Sequence, residues 1–334
     1  MIKYLGSKRR LVPRIVDIVG QLEGVETVCD LFSGTSRVGQ ALKRAGYRVH
    51  ANDWMTYAYH LAATYVALDA EEFPPERVRP VLDRLNALAG TPGYVTQKFA
   101  IEAHYFQPAN AARVDAIRDQ IEHEDPALRS LLLTSLMVAA DRVDSTTGLQ
   151  MAYLKQWASR SFNALEMTMP ELLPGPGLAT QRDAIELAAE LECDLVYLDP
   201  PYNQHSYLGN YHIWESLVRD DQPETYGIAN KRIDVRTQKS PFNLKSSARE
   251  AMAELVGSLR TRYLVLSFND EGYVSREEIE EILGRWGTYT CESVAYPRYV
   301  GAQIGVYNLK GVKVGQPGAL TNHEFLFTAR RAGG

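Results

Sequence analysis

Continuous apolar runs alternate along the chain with segments in which apolar residues recur every three or four positions. The continuous runs are typical of buried parallel strands, and the three- and four-residue spacing is typical of helices. Strands are predicted over 27–32, 47–51, 179–182, 195–198, 263–268, 288–294 and 324–328. Ser275 and Glu278 have the spacing of a capping box that starts a helix running to Trp286. We therefore expect an α/β fold whose strands are connected by helices.

The first strand opens a segment with the order of a nucleotide-binding unit. It is followed by the tight turn Ser33-Gly34-Thr35-Ser36, and then by a helix predicted over 38–45. Asp53 follows the second strand, about twenty residues after the turn, and at that spacing an acidic residue reaches ribose hydroxyls. Asp30, at the end of the first strand, is predicted either to accept hydrogen bonds from a ligand or to cap the turn.

A long segment with helical periodicity separates these strands from the rest of the sheet. Helices are predicted over 80–89, 109–121 and 127–143, and Pro174-Gly175-Pro176-Gly177 marks the return to the sheet. The chain is therefore predicted to form one domain from residues 1–56 and 175–334 and a helical inserted domain from residues 57–174.

The strand 195–198 ends abruptly at Asp199-Pro200-Pro201-Tyr202. Two prolines hold the backbone extended, so the Asp199 carboxylate, the Pro200 carbonyl and the Tyr202 ring are expected to project from one rigid corner. Two acceptors beside an aromatic face suit a flat heteroaromatic ring that carries an NH2 group, such as adenine or cytosine. The alternative is an ordinary proline turn after a strand.

Composition places the chain among ordinary soluble proteins, since it has 334 residues of which 45% are hydrophobic and 23% are charged. No apolar run is long enough to span a bilayer, and Arg9, Arg10 and Pro13 interrupt the first residues too early for a signal peptide. We therefore expect a cytoplasmic location and no membrane association.

The cysteines and the charge add two expectations about partners. Cys29, Cys193 and Cys291 are odd in number and far apart, which indicates buried reduced thiols and no metal site. The net charge of −5 is mildly unfavourable for nucleic-acid binding. However, basic residues cluster after the proline corner and are opposed within that stretch only by Asp234: they are Lys231, Arg232, Arg236, Lys239, Lys245 and Arg249. This stretch is predicted to contact nucleic acid or to be a solvated loop.

These segments together resemble the amino-methyltransferases, and in particular the adenine-N6 DNA methyltransferases related to the Dam methylases. Asp199 to Tyr202 is similar to their Asp-Pro-Pro-Tyr motif, and Tyr4-Leu5-Gly6-Ser7-Lys8 to their N-terminal cofactor motif. Asp30-Leu31-Phe32-Ser33-Gly34 resembles their glycine loop, and Asn52-Asp53 their ribose-binding acid. The order of the motifs is similar to that of the alpha group of these enzymes.

The resemblance implies a Rossmann-like S-adenosylmethionine-dependent methyltransferase sheet ending in an antiparallel pair, with the inserted module recognising the target or merely buttressing the sheet. It implies methyl transfer from S-adenosyl-L-methionine to the N6 amine of adenine in double-stranded DNA after base flipping, in restriction-modification or related defence with a possible partner protein. The implied catalytic residues are Asp199, Pro200, Pro201 and Tyr202. The implied cofactor-binding residues are Tyr4, Lys8, Asp30, Phe32, Ser33, Gly34, Asp53, Asp183 and Asp199.

Two further segments are candidates for nucleic-acid contacts. The polar loop 142–150 looks like a segment that recurs in relatives, and its hydroxyls Thr146 and Thr147 are predicted to hold phosphates, with helix-end capping as the alternative. In the late basic stretch the candidates are Lys231, Arg232, Arg236, Lys239 and Lys245. The connection 296–316 is long for a hairpin, and it is interpreted as mobile or as a flap that contacts DNA.

Other acceptors would present an NH2 group to the same corner: adenine in RNA, cytosine N4 and a glutamine amide. A catalytically silent nucleic-acid-binding subunit is a different class of function, which an intact Asp199 to Tyr202 corner disfavours. A nicotinamide oxidoreductase would require a fuller glycine signature and a proton-transfer residue, and neither is evident in the sequence.

Overall fold

The computed structural model describes residues 1–6, 8–297, 306–307, 313–315 and 321–333. Ser7 of the N-terminal motif and most of the connection 296–316 lie outside the described residues. The interpretation of that connection as mobile or as a flap therefore stays a prediction.

The strands are β1 (Thr27–Asp30), β2 (Arg48–Asn52), β3 (Gly177–Thr180), β4 (Leu195–Leu198), β5 (Thr225–Tyr226), β6 (Lys231–Arg232), β7 (Tyr263–Asn269), β8 (Gly287–Pro297), β9 (Val306–Tyr307), β10 (Lys313–Gly315) and β11 (Thr321–Arg331). The central sheet has the order β3-β2-β1-β4-β7-β11-β8, while β5 pairs with β6 and β9 with β10. The first five strands of the central sheet run parallel. Strand β11 is antiparallel to β7 and β8, so the predicted Rossmann-like sheet and its antiparallel edge are confirmed.

The α-helices are α1 (Val12–Gly20), α2 (Arg37–Arg44), α3 (Thr56–Ala62), α4 (Pro75–Asn86), α5 (Pro108–Ile121), α6 (Arg129–Val143), α7 (Ala184–Ala188), α8 (Tyr207–Asn210), α9 (His212–Arg219), α10 (Ala248–Ser258) and α11 (Arg276–Trp286). Single π-helical segments cover Ala63–Ala67 and Thr96–Ile101. Short 3-10 turns cover Lys8–Arg10, Pro126–Leu128, Ser159–Phe162, Ile233–Arg236 and Pro241–Asn243.

Local sequence signals explain where several elements begin. The capping box of α11 forms as predicted, because Ser275 accepts from the backbone of Glu278 and Glu278 accepts from the backbone of Ser275. Strands β1 and β4 are each four residues long; all four positions of β4 are buried, and β1 ends in the buried carboxylate of Asp30. Helix α10 was not predicted, although the basic stretch leads directly into it.

The helices of the insertion share a continuous apolar core with α9 of the sheet domain. Leu132 and Leu136 of α6 belong to the same buried cluster as Trp214 and Leu217 of α9. Two other clusters fill the two faces of the sheet. The division into a catalytic domain and an inserted recognition domain therefore remains a proposal, with close packing between the two parts.

The three cysteines are free; Cys29 is buried, and Cys193 and Cys291 are half-buried. Within the described ranges, no helix is both long enough and apolar enough to cross a membrane.

Candidate active site

A cavity of about 210 Å³ opens at the carboxyl edge of the parallel strands, where ligands bind in open α/β sheets. Ten of the predicted catalytic and cofactor-binding residues line it: Tyr4, Lys8, Asp30, Phe32, Ser33, Gly34, Asp53, Asp183, Asp199 and Pro201. These residues come from the N-terminal turn and from the ends of β1, β2, β3 and β4. The sheet therefore brings together side chains that are nearly two hundred positions apart in the sequence.

The glycine turn and Asp53 form one hydrogen-bonded unit. The Gly34 amide donates to Oδ2 of Asp53 at 2.9 Å, and the Met55 amide donates to Oδ1 at 2.9 Å. Gly34 has φ +50°, and a Cβ there would lie 3.1 Å from the ring of Tyr4. Burial raises the pKa of Asp53 to about 6. Only glycine suits this position, because it combines a left-handed backbone with close packing.

Ser36 stands where a second glycine is often found, and it adopts the left-handed conformation with φ 59°. The structure thus keeps the glycine-like turn even though the residue carries a side chain, at some cost in backbone strain.

Asp30 accepts a hydrogen bond at the start of a helix and also lines the cavity, so its predicted contact with a ligand stays a prediction. Its Oδ2 accepts from the Gly39 amide at 2.9 Å in the first turn of α2, so one oxygen stabilises a helix start. Its Oδ1 is buried without a hydrogen-bond partner among the described residues, and Asp30 lines the cavity. Burial raises the pKa of Asp30 to about 7. A buried acceptor with no partner beside a cavity is suited to a donor that arrives with a ligand.

Asp199 is held by a buried charge network that sequence reasoning did not find. Lys8 Nζ lies 3.0 Å from Oδ1 of Asp199 and also pairs with Oε1 of Glu324, which lies on β11. Glu324 accepts a further bond from Ser267 Oγ at 2.6 Å. Burial raises the pKa of Asp199 to about 6, with Lys8 lowering it and Glu324 raising it. Burial works against the charge of Lys8, but the two carboxylates outweigh it and raise its pKa well above the usual value.

Tyrosine rings form the wall of the cavity next to Lys8. Tyr4 stacks on Tyr211 with ring centroids 4.5 Å apart and on Tyr207 with centroids 5.2 Å apart. The Tyr4 hydroxyl lies 3.1 Å from that of Tyr57. Tyr4 is therefore a packed ring that also faces the cavity. Tyr207, which also lines the cavity, was missed because nothing in its local sequence marks it.

Two residues of the Asp-Pro-Pro-Tyr segment do not line the cavity. Pro200 is buried. The half-buried ring of Tyr202 lies edge-on to Phe268, with centroids 6.1 Å apart. The Tyr202 carbonyl accepts from the Tyr273 amide at 2.7 Å. The Tyr202 ring thus packs on Phe268 of β7, and the predicted rigidity of the segment stays a prediction.

Residues within the basic stretch also line the cavity. Phe242 packs edge-on against Phe32 with centroids 5.5 Å apart, and the Asn243 side chain donates to the carbonyl of Asn203 at 2.6 Å. Lys239, predicted to bind nucleic acid, is exposed and lines the same cavity. This wall of the cavity was not predicted, because the sequence of the basic stretch indicated either a nucleic-acid contact or a solvated loop.

Arg232 was wrongly predicted to contact nucleic acid. Its side chain is buried and makes a bidentate pair with Asp221, both contacts at 2.7 Å, and a further bond to Asp234 at 2.9 Å. Arg249, from the same stretch, pairs with Glu281 at 3.0 Å. The fold thus supplies acidic partners that the linear stretch lacks.

The remaining basic candidates of that stretch differ in exposure. Lys231 is half-buried, and burial lowers its pKa. Arg236 is exposed and lies over the ring of Tyr226 at 4.2 Å, and Lys245 is exposed. These residues, with Lys239, keep their predicted role as candidates.

Thr146 was also wrongly predicted to hold phosphates. It is buried, its hydroxyl donates to Asp144 at 2.7 Å, and it accepts from the Gly148 amide at 3.0 Å. These two bonds stabilise the loop that follows α6. Thr147 is exposed and stays a candidate.

Asp183 begins helix α7. Its Oδ1 accepts from the amides of Ile185 at 2.8 Å and Glu186 at 3.2 Å, and the residue lines the cavity. One carboxylate oxygen is thus used by the helix, and the predicted cofactor contact of Asp183 stays a prediction.

Comparison with known proteins shows which family this sequence matches. Residues 4–282 match the family described as D12 class N6 adenine-specific DNA methyltransferase. The chain is 31% identical over 325 residues to the modification methylase StsI of Streptococcus sanguinis, covering 91% of this chain and 50% of that protein. It is 30% identical over 319 residues to the type II methyltransferase M.NlaIII of Neisseria lactamica, covering 89% and 92%.

The match to the type II methyltransferase M.FokI of Planomicrobium okeanokoites is 27% over 322 residues and covers 89% of this chain and 50% of that protein. The chain therefore spans about half the length of the StsI and FokI proteins and nearly all of M.NlaIII. The family match covers most of the sequence, including every residue that lines the cavity. The chain belongs to the D12 class of N6 adenine-specific DNA methyltransferases.

Proposed function

We propose that this protein transfers a methyl group from S-adenosylmethionine to the N6 amine of adenine in double-stranded DNA. One observation carries the proposal: the Asp199 carboxylate stands at the end of β4 in the same cavity as Asp30, Asp53 and the glycine turn. An acceptor for a nucleobase amine and acceptors for a nucleoside-like cofactor thus share one enclosed space.

The residues present fit the cofactor. The Oδ1 atom of Asp30 lacks a partner and suits the cofactor's ammonium group, and Asp53 suits its ribose hydroxyls. Asp183 is the candidate acceptor for the adenine amine, while Phe32, Ser33 and Gly34 supply the turn on which the cofactor would lie. The cofactor supplies an electrophilic methyl group on a sulfonium, which reacts without assistance from a metal.

The Asp199 carboxylate and the Pro200 carbonyl are proposed to activate the N6 amine of adenine, which is a weak nucleophile. The N6 nitrogen shares its lone pair with the purine ring, so it attacks poorly by itself. When both acceptors take hydrogen bonds from the NH2 group, the lone pair is freed and the positive charge that develops on nitrogen is stabilised. Alignment of the acceptor with the methyl group can lower the barrier further, by roughly 7 to 11 kcal/mol in favourable systems.

Lys8 orients the carboxylate for this task. Its ammonium pairs with Oδ1 of Asp199, which leaves Oδ2 as the oxygen proposed to accept from an incoming amine. Glu324 pairs with the same ammonium, so two carboxylates hold Lys8 in place. Because adenine is stacked in duplex DNA, the base must be extruded to reach this corner, and Tyr202 is proposed to hold its face.

Incubation of the purified protein with methyl-labelled S-adenosylmethionine and unmethylated duplex DNA tests the function. Nucleoside analysis is expected to give N6-methyladenine, and single-molecule sequencing is expected to place it in one sequence context. Recovery of the label in N4-methylcytosine would mean that cytosine is the methyl acceptor. Stronger labelling of RNA than of DNA would mean that RNA is the substrate. Binding of DNA without any methyl transfer would indicate a catalytically silent nucleic-acid-binding subunit.

Restriction-modification or related defence is proposed as the setting, because the relatives carry the names of modification methylases and type II methyltransferases. A partner nuclease or defence protein, target recognition by residues 57–174 and a cytoplasmic location remain predictions from the sequence.

A further inference from the structure

A second cavity, of about 440 Å³, lies between α1, α2 and α6 and is separated from the first by Arg37, which lines both. Four arginines line it: Arg9, Arg37, Arg44 and Arg142. Among its described lining residues the acidic one is Glu171, which pairs with Arg44 at 2.8 Å. The other three guanidinium groups therefore share a cleft without a carboxylate of their own. We call this set (Arg9, Arg37 and Arg142) the arginine cleft.

The arginines of the cleft are incompletely bonded. Within the part of the chain that the structure describes, neither Arg9 nor Arg37 makes an ion pair, and Arg142 makes only a long bond of 3.4 Å to the Thr168 hydroxyl. The Nε atom of Arg37 is buried and has no hydrogen-bond partner among the residues that the structure describes. Burial and the charge of Arg9 lower the pKa of Arg37. Like charges held together at such a cost indicate an anionic ligand.

Nearby carboxylates do not neutralise the cleft, because other cations already use them. Asp141 and Asp144 lie at the end of α6 beside Arg142, and Lys3 binds both of them. Arg160 adds a second contact to Asp144 at 2.6 Å. The acids of this region thus form a closed network, while Arg9 and Arg142 stay exposed to solvent.

The position of the cleft favours a polyanion. Arg37 is the first residue of α2, directly after the glycine turn, so the cleft opens beside the cavity into which a flipped base would enter. The planar guanidinium fork matches phosphate oxygens. We infer that the arginine cleft binds backbone phosphates of the DNA next to the target adenine. This inference rests on the proposed function and adds a contact surface outside the catalytic corner.

The test measures the salt dependence of DNA binding in the double variant Arg9→Ala/Arg142→Ala. Binding of a fluorescent duplex is titrated by anisotropy at several NaCl concentrations, with both a specific and an unrelated sequence. Each phosphate contact contributes about 0.9 to the slope of log K against log salt, so a decrease of roughly 1 to 2 is expected. The loss should be similar for both sequences, because phosphate contacts carry no sequence information. The dissociation constant for S-adenosylmethionine should not change.

Two further variants make the result decisive. Arg285→Ala removes an exposed arginine of α11 that pairs with Glu281, and it should leave the slope unchanged. Arg37→Gln should lower the slope of log K against log salt as well. If this variant weakens only S-adenosylmethionine binding, Arg37 binds the cofactor carboxylate and does not belong to the phosphate-binding cleft. An unchanged slope in the double variant with intact thermal unfolding overturns the inference.

The methylation assay on the wild-type protein runs in parallel. If the wild type methylates adenine and the slope is unchanged in the double variant, only the inference that the arginine cleft binds phosphates is refuted. A lower slope in the variant without any methylation by the wild type refutes the proposed function alone.

Discussion

Lys8 Nζ lies 3.0 Å from Oδ1 of Asp199, so the carboxylate proposed to accept the target amine is already paired before any substrate binds. This contact joins the N-terminal turn to the end of the central strand β4. It fixes the orientation of Asp199 and offsets the cost of burying its charge.

Asp199→Asn is expected to reduce kcat by at least a hundredfold, since removal of a single group that stabilises developing charge commonly costs about that much. Lys8 retains Glu324 as a partner in the variant, so folding should be preserved. Single-turnover kinetics will measure the loss, and calorimetry should give an S-adenosylmethionine affinity close to that of the wild type. Appreciable residual turnover would refute the role given to this carboxylate.

The rate should depend on pH through the same residue. The groups that surround Asp199 come from several elements and are Lys8, Asp30, Tyr197, Tyr202, Tyr207 and Glu324. Since burial raises the pKa of Asp199 to about 6, kcat/KM for DNA is expected to fall as the pH decreases below 6.

Glu324→Gln removes the negative charge that raises the pKa of Asp199, so the acidic limb of that profile should move to lower pH. The plateau kcat should also fall, because Lys8 loses one of its two anchors. Glu292→Gln, at the surface pair with Arg14, is the matched control and should change neither quantity. A fall in kcat without movement of the limb would mean that Glu324 is only structural.

Asp53→Ala should weaken S-adenosylmethionine binding more than DNA binding. The side chain both ties the Gly34 amide to the end of β2 and faces the cavity, so its loss affects the cofactor side of the site. Titration of each ligand by calorimetry decides the matter. Equal weakening of both ligands would indicate a general disturbance of the fold.

Asp30→Asn should stabilise the protein at pH 8 by about 1 to 3 kcal/mol while weakening cofactor binding, because a buried unpaired charge is removed. The sign follows from the pKa, which burial raises from 3.8 to about 7 in the folded state. The native carboxyl therefore destabilises the fold increasingly as pH rises from about 4 through 7, and the gain should vanish near pH 4. Thermal unfolding at both pH values measures this difference.

Arg232→Ala should reduce the unfolding free energy by about 3 kcal/mol, because Asp221 and Asp234 lose their buried cation and keep only the half-buried Arg219 as a partner. Arg236→Ala is the matched exposed variant from the same stretch and should cost less than about 1 kcal/mol. Chemical denaturation compares the two. A DNA-binding defect in Arg232→Ala without a loss of stability would restore the original prediction for that residue.

Much of the fold was predictable because its signals are local. The apolar runs of β1, β4 and β7 and the capping box at Ser275 each lie within a few residues of sequence. The cavity residues that follow strand ends were predictable for the same reason, since parallel strands gather their carboxyl ends at one edge.

Other features depend on residues far apart in the chain and leave no local sign. The local sequence indicates that Arg232 is a surface charge, and only the folded chain brings it into contact with Asp221. Glu324 opens an apolar run, and only the pairing of β11 with β7 brings it to Ser267 and Lys8. The arginine cleft combines side chains from the N-terminal turn, α2 and α6, and no linear pattern joins them.

Lys8 and Glu324 are separated by 316 positions, yet they form an ion pair, and Lys8 also pairs with Asp199. During synthesis on the ribosome, the cavity and its glycine turn emerge long before the strand that carries Glu324. A nascent chain therefore cannot complete the charge network around Asp199, and full methylating capacity should arise only after the last strand of the sheet has been released and docked.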